Sequence, residues 1–375
     1  MNYPILLAGV TLLGAQLWHA LLPSPAGPVS PMSWVSRSPA DAYRWAAYAE
    51  SLASAKRAPE ARAAFHRAAT LAPDVPQIRM RRMNDCLELA DSNCILSDGK
   101  RVLALTATFD DIIFVYYRSL TIPQVRILAE GLPDTPRALR SYMRNFAKFS
   151  DDDSAIFRTW SHIRSRGFMD APTASAVAAT LVTRRRNVLA SRLWRDFDPR
   201  VAPNEALSNP RFTRQPLPSP FDWAVSPQDG MTFDFTDGLH VTFEGARNLS
   251  VANVRQHFVA QPGPHRLVIE YSSDALTTDQ GPFFRLYDPA SPARLNLQTG
   301  MIRGTTPRRT LTLDFTAPPA SPLLALHLER TPSQKFDNKI SGSLHLYRVS
   351  VQALGPPLTA LAGLARARAP DTRRR

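Results

Sequence analysis

The sequence predicts a multidomain chain, an all-helical stretch followed by an all-β one. Two textures carry that prediction. Over residues 36–200 apolar side chains recur at helical spacing, with much alanine. From about Asn204 proline and glycine become frequent, and short apolar–polar alternations take over. Ahead of both lies an apolar run that carries no charge, from Pro4 to Leu22.

That first run, PILLAGVTLLGAQLWHALL, would span roughly 28 Å as a helix, close to the thickness of a hydrocarbon core. It reads either as an uncleaved membrane anchor or as a signal segment, cut after Ala26 within SPAG. Its length favours the anchor, and a buried core helix is the third option. Residues 1–26 are therefore assigned to this segment. Both leading readings place residues 27–375 outside the cytoplasm, in a bacterial envelope or periplasm.

The helical domain is expected over residues 27–200. Its clearest pattern is Trp45, Tyr48, Ala49 and Leu52, then Ala61, Phe65, Ala68 and Pro73. Small residues at 49, 61 and 68 let two antiparallel helices approach closely. Trp45, Leu52 and Phe65 fill the wedge between them, and Pro73 ends the second helix. The spacing resembles a tetratricopeptide repeat, with substitutions at that family's Leu, Gly and Tyr positions. One repeat cannot bury its own faces, so more hairpins should follow. Residues 76–107 and the run Phe109–Leu120, closed by Pro123, supply candidates. Trp160 and Trp194 then stand one repeat length, 34 residues, apart. Asp151-Asp152-Asp153 suits a helix N-terminus, where carboxylates meet the dipole, better than a cation site. The resulting α-solenoid has roughly four hairpins. The resemblance implies a concave surface that binds a partner protein; the plainer alternative is a spacer.

Cys86 and Cys94 flank the turn Asp91-Ser92-Asn93. They can bridge a helical hairpin in an oxidising compartment, or stand as two small buried hydrophobes. Two thiols without a nearby His or second Cys pair cannot fill a tetrahedral metal shell. The charge is lopsided: 40 Arg against 5 Lys, and a net +13. Residues 31–200 carry +8, residues 201–354 carry +1, and the tail 355–375 carries +4. An Arg-rich solvated surface accounts for this, and contact with anionic polymers is compatible with it. No nucleic-acid-binding motif is present. The tail, rich in Ala, Pro and Arg, reads as disordered.

Residues 205–354 hold about eight short strands with no helical period between them, which predicts an antiparallel β-sandwich. An N-x-x-F element (Asn209, Phe212) followed by Trp223 and a strand near the C-terminus resembles the galactose-binding-like jelly roll of many carbohydrate-binding modules. Such modules often place acidic residues at the last strand to hold calcium. Here the segment is HLYRVSV, with Tyr347-Arg348, which puts calcium in doubt. No cofactor is expected. The three-part layout also resembles bacterial envelope proteins associated with exopolysaccharide production.

Two loops are candidates for gripping a glycan. TTDQGPFFRL, Thr277–Leu286, offers Thr278, Asp279, Gln280, Phe284 and Arg285; ERTPSQKFDNKISG, Glu329–Gly342, offers Arg330, Lys335, Asp337 and Asn338 around Phe336. Amides and carboxylates match hydroxyls, an aromatic face covers the C–H side of a sugar, and the cations suit an acidic group. Only one of Phe283 and Phe284 can point into the core, because the strand period is two. The same residue types are ordinary turn chemistry. No nucleophile elbow, H-E-x-x-H, phosphate loop or dinucleotide fingerprint appears. The histidines are scattered, though His327 and His345 lie in strands that could meet. Asp279 with Asp337 is the carboxylate pair whose separation would suggest a glycosidase. The expected function is a non-catalytic envelope scaffold. Its solenoid docks a protein, and its sandwich binds a polysaccharide, acidic or neutral. The alternatives are a purely protein-binding scaffold and a glycan-active enzyme.

Overall fold

The computed structural model describes residues 31–199, 205–319, 322–336 and 338–355. The apolar run at Pro4–Leu22, Asp337 and the tail beyond Gly355 lie outside the described residues. No helix among the described residues is long and apolar enough to cross a membrane. The chain forms two compact units, residues 1–134 and 135–375, so the later helices fall in the same unit as the strands.

The first unit contains α1 (Pro31–Arg37), α2 (Ala42–Ser54), α3 (Ala58–Leu71), α4 (Pro76–Glu88), α5 (Ser92–Leu105) and α6 (Asp110–Ser119). After them, α7 (Gln124–Arg126) runs on into a π-helical turn, Ile127–Gly131. The repeat-like spacing marks its core. Ala49, Leu52, Ala61, Phe65 and Ala68 are all buried in one cluster, against which Trp45 and Tyr48 pack. The α2–α3 wedge is the one expected from sequence. Asp41 caps α2 by accepting from the Tyr43 and Arg44 amides. Cys86 on α4 and Cys94 on α5 are bonded, so the bridged hairpin is the alternative the structure takes. Beside them, Asp98 is fully buried and paired by Arg79 at 2.7 Å and Arg82 at 2.5 Å, which satisfies a charge that would otherwise be costly to desolvate.

The second unit opens with α8 (Pro136–Phe149), α9 (Asp153–Ser165), α10 (Ala171–Thr183) and α11 (Asn187–Phe197). Trp160 and Trp194, the pair one repeat apart, are both buried. The three-Asp run is capping and ion pairing. Asp152 caps α9 through the Ala155 amide, while Asp151 and Asp153 pair with Arg184 and Arg186.

Ten strands follow among the described residues: β1 (Ala224–Val225), β2 (Met231–Asp234), β3 (Leu239–Glu244), β4 (Val251–Val259), β5 (Gly263–Leu276), β6 (Phe283–Tyr287), β7 (Asn296–Gln298), β8 (Gly304–Ala317), β9 (Leu323–Arg330) and β10 (Ser341–Ala353). They form two five-stranded antiparallel sheets. Sheet I has the order β1-β4-β9-β6-β7 and sheet II the order β2-β3-β10-β5-β8. The count exceeds the expected eight because β1 and β7 are two- and three-residue edge pieces too short to show a period.

Alternation builds the core. Val254 and Phe258 of β4, Leu324, Leu326 and Leu328 of β9, and Phe284 and Leu286 of β6 meet Leu267, Ile269, Leu344, Leu346, Val349 and Val351 of sheet II. The residues that carried the jelly-roll resemblance are structural. The Phe212 and Trp223 rings lie 5.0 Å apart in the core, and the Trp223 indole donates to the Asn209 carbonyl at 3.2 Å. Arg214 then ties helix to sandwich: it donates to Asp198, just past α11, at 2.6 Å, and it pairs with the buried Asp222. Burial pushes the Asp222 carboxyl up, against the pull of Arg214 and the amides that it accepts from.

Candidate functional site

The two sequence-predicted loops do meet, and Arg330 joins them. This last residue of β9 is 2% exposed. Its guanidinium donates to the Gln280 carbonyl at 2.8 Å, the Thr278 hydroxyl at 3.2 Å, the Asn338 carbonyl at 3.2 Å and Asn248 Oδ1 at 3.3 Å, and also to the Leu249 carbonyl. Burial lowers its pKa, with the nearby Asp279 opposing. Gly281 is required where the first loop turns, because a Cβ there would collide with the Ile302 carbonyl. Thr278 also caps its own turn, accepting from the Gln280 amide at 3.1 Å.

This assembly is a clasp in which Arg330 takes up a carbonyl or hydroxyl from each loop, while Asp279 Oδ1 stays buried without a hydrogen-bond partner among the described residues. Arg330 is therefore corrected from ligand-binding to structural, since an arginine with five internal acceptors has no free donor face. Thr278 and Asn338 are held by it, and Gln280 contributes its carbonyl. Asp279 stands at the rim, its carboxylate kept low by the Ser333 hydroxyl and then by Lys335, whose Nζ lies 3.7 Å away. Lys335 and Phe336 are exposed. Asp337 lies outside the described residues, so no Asp279–Asp337 separation is measured.

Phe284 is the second correction. It is fully buried in the core, and Phe283 takes the opposite face, itself only 7% exposed. The parity rule held, but the outward position belongs to residue 283. Arg285, next along the strand, leaves the loop cluster altogether and points from the outward face of sheet I.

That outward face is where polar and aromatic groups gather. Alternation turns Arg255 and His257 of β4 outward, with His327 and Glu329 of β9, Arg285 and Tyr287 of β6, and Asn296 and Gln298 of β7. The register lines up Arg255, His327, Arg285 and Gln298 in one row across four strands. Side chains knit the floor. The Arg285 guanidinium lies 4.6 Å from the Tyr287 ring centroid and donates to Asn296 Oδ1 at 2.8 Å. Glu329 lies 3.6 Å from Arg285 and 3.5 Å from His327 Nδ1. The Tyr287 hydroxyl and His327 Nε2 are 3.3 Å apart, with the rings edge to face. Tyr287, Arg285 and His257 are half-buried, while Arg255, Asn296 and Gln298 are exposed around them. The result is a floor of satisfied groups with the Gln298 amide, the Asn296 NH2 group and Arg255 at its rim.

Its electrostatics are positive. Burial, then His257, Arg255 and Arg285, push His327 down to about 4. Burial and Arg255 lower His257 as well. Burial raises Tyr287, with Arg285 opposing. Neutral imidazoles thus sit between two cations. The pattern LLALHLER contains the signal that would have found this row, since His327 has the parity opposite to its buried leucines. Arg255, His257, Tyr287, Asn296 and Gln298 were missed for want of a register.

His327 and His345 do not approach one another, because they face outward from different sheets. His345 stacks on His240 at 3.5 Å and meets Tyr347 at 3.7 Å. Among the described residues no three His, Cys, Asp or Glu side chains converge as metal ligands.

No family model matches the chain, and no curated protein matches it. Solved structures show partial likeness. A carbohydrate-binding module of family 4 has a TM-score of 0.28 at 13% identity, over 39% of this chain and 99% of that one. The CBM22-1 xylan-binding domain of Paenibacillus barcinonensis Xyn10C has 0.27 at 10%, over 39% and 93%. YrrB, a tetratricopeptide-repeat protein with an unusual peptide-binding site, has 0.25 at 13%, over 46% and 94%. All three scores lie below 0.5, and none carries weight for function.

Proposed function

We propose that this chain is a non-catalytic cell-envelope scaffold whose sandwich binds a polysaccharide along the outward face of sheet I. The observation that carries the reading is the four-strand row Arg255, His327, Arg285 and Gln298, with Tyr287 and Asn296 beside it. A chain of sugar rings is long and flat. It needs hydrogen-bonding groups spread across a surface and fixed in place before it arrives. Cross-strand packing fixes the floor, and the exposed Gln298 amide and the Asn296 NH2 group, whose oxygen already accepts from Arg285, are left to meet hydroxyls. The helical repeats would dock a partner protein; Ile112 and Val115, one turn apart on α6, are 44% and 41% exposed and suit such a contact. A place in exopolysaccharide production or export, with the N-terminal segment as anchor or export signal, fits both halves.

The test is binding of the full chain to a panel of neutral and acidic bacterial polysaccharides, with Arg285→Ala and Gln298→Ala beside it. Removing Arg285 takes away three interactions of the floor, with Tyr287, Asn296 and Glu329, and should weaken binding roughly tenfold or more, the equivalent of about 1.4 kcal/mol. A folded chain that binds no polysaccharide overturns the reading and turns attention to protein partners alone.

A further inference from the structure

Two features of the sheet I face are left over once hydroxyl recognition is accounted for. The first is Arg255. It is exposed, and it has no acidic partner among the described residues. Yet its charge reaches His257, His327 and Tyr287, so it acts over the floor rather than away from it. The second is the Tyr287 ring. One of its faces is already covered by the Arg285 guanidinium and its edge region is met by His327, so it is a poor platform for stacking a sugar. What the face has in surplus is positive charge. Arg255 and Arg285 stand on either side of His327 in one register row; among the described residues the carboxylate beside them is that of Glu329, which Arg285 and His327 already share.

Strands two apart in a sheet are about 10 Å apart, so two arginine side chains from such strands can close on one anion seated above the strand between them. Guanidinium groups meet carboxylate and sulfate oxygens in a bidentate fork. We propose that the ligand of this face is an acidic polysaccharide, and that Arg255 and Arg285 grip the anionic oxygens of one sugar across His327. This rests on reading the face as a glycan site, and adds the class of glycan and the residue that selects it. Asn296 and Gln298 would then hold the neighbouring hydroxyls.

The experiment measures affinity of the full chain for three polymers: a polyuronate, the same polyuronate with its carboxyls reduced to alcohols, and a sulfated dextran. Each is run at low and at physiological salt, with Arg255→Gln and, as a control for net charge, Arg266→Gln. Arg266 is exposed on sheet II, paired there with Asp314. The expected result is tight binding of the polyuronate, at least tenfold weaker binding of the reduced polymer, and a fall with salt. Arg255→Gln should lose about tenfold on the acidic polymer and little on the reduced one, while Arg266→Gln changes neither. The sulfated dextran separates carboxylate from sulfate as the preferred anion. Equal affinity for the acidic and reduced polymers overturns the inference and leaves the glycan reading standing. Equal losses in the two Arg variants assign binding to net charge and overturn it too. If no polymer binds, both fall together.

Discussion

Arg330 and Arg255 lie on neighbouring strands of one sheet, and they have opposite fates. Arg330 ends β9 pointing inward, where five acceptors from three separate loops surround it. Arg255 lies mid-strand on β4 pointing outward, with no acidic partner among the described residues. The same side chain is a structural clasp in one place and a free cation in the other. What differs is whether the fold supplies acceptors. A buried guanidinium must have them, because an unpaired charge there would be very costly. An exposed one need not, and water serves it until a ligand arrives. Polar clusters in a sequence are thus poor guides to function until it is known which of them the protein has already satisfied.

The sharpest way to break the comparison is Arg330→Met. The substitution keeps an apolar stem and strands up to five acceptors. Each hydrogen bond to a charged donor contributes about 1.5–3 kcal/mol, so even with water replacing some, a loss of about 4 kcal/mol is expected. Denaturant melts of the full chain would show it. A loss below about 1 kcal/mol would mean the loops hold themselves, and would reopen Arg330 as a ligand group.

The helical wedge was legible because its signal is local. Trp45 to Leu52 and Ala61 to Ala68 fix two helix faces by spacing alone. Capping by Asp152 was legible for the same reason. The candidate site was not. Phe283 and Phe284 differ by one position, and a one-residue slip exchanges core for surface along the whole strand. Arg330 depends on Asn248 and Leu249, about eighty residues earlier in the chain. Nothing local announces that pairing. The row across sheet I needs three strand registers at once, and each is set by the packing of the opposite face. The jelly-roll signature residues Asn209, Phe212 and Trp223 pointed to the fold and said nothing about where its open surface lies.

The outward face makes its own prediction with pH. His327 is faced by His257 and Arg255 of β4, by Arg285 and Tyr287 of β6, and by Glu329 on its own strand. Folded, it titrates near 4, against 6.5 for an ordinary imidazole. The unfolded chain therefore takes up the proton first as pH falls. The stabilisation is whole above about pH 6.5 and is lost as pH drops through about 4, amounting to about 3 kcal/mol at most. His257 acts in the same direction. Melting temperature measured from pH 7 to pH 4 should fall, and His327→Gln should flatten that fall. A wild-type curve no steeper than the variant's would show that the imidazole is not held neutral by its setting.

The smallest effect tests whether the floor of that face is open in the sense that the clasp is not. Tyr287→Phe removes only the hydroxyl that meets His327 at 3.3 Å and leaves the ring on which Arg285 lies. One neutral hydrogen bond at a half-buried site is worth about 1 kcal/mol. The variant should therefore lose about that much in a denaturant melt, while His327, followed by its ring-proton shifts in a pH titration, responds to the missing partner. A loss as large as that of Arg330→Met would mean the floor is as tightly interlocked as the clasp. The contrast between spent and available polar groups would then not hold within sheet I. A loss near zero would mean that the Tyr287–His327 contact does not form in solution, and that the imidazole is freer to meet a ligand.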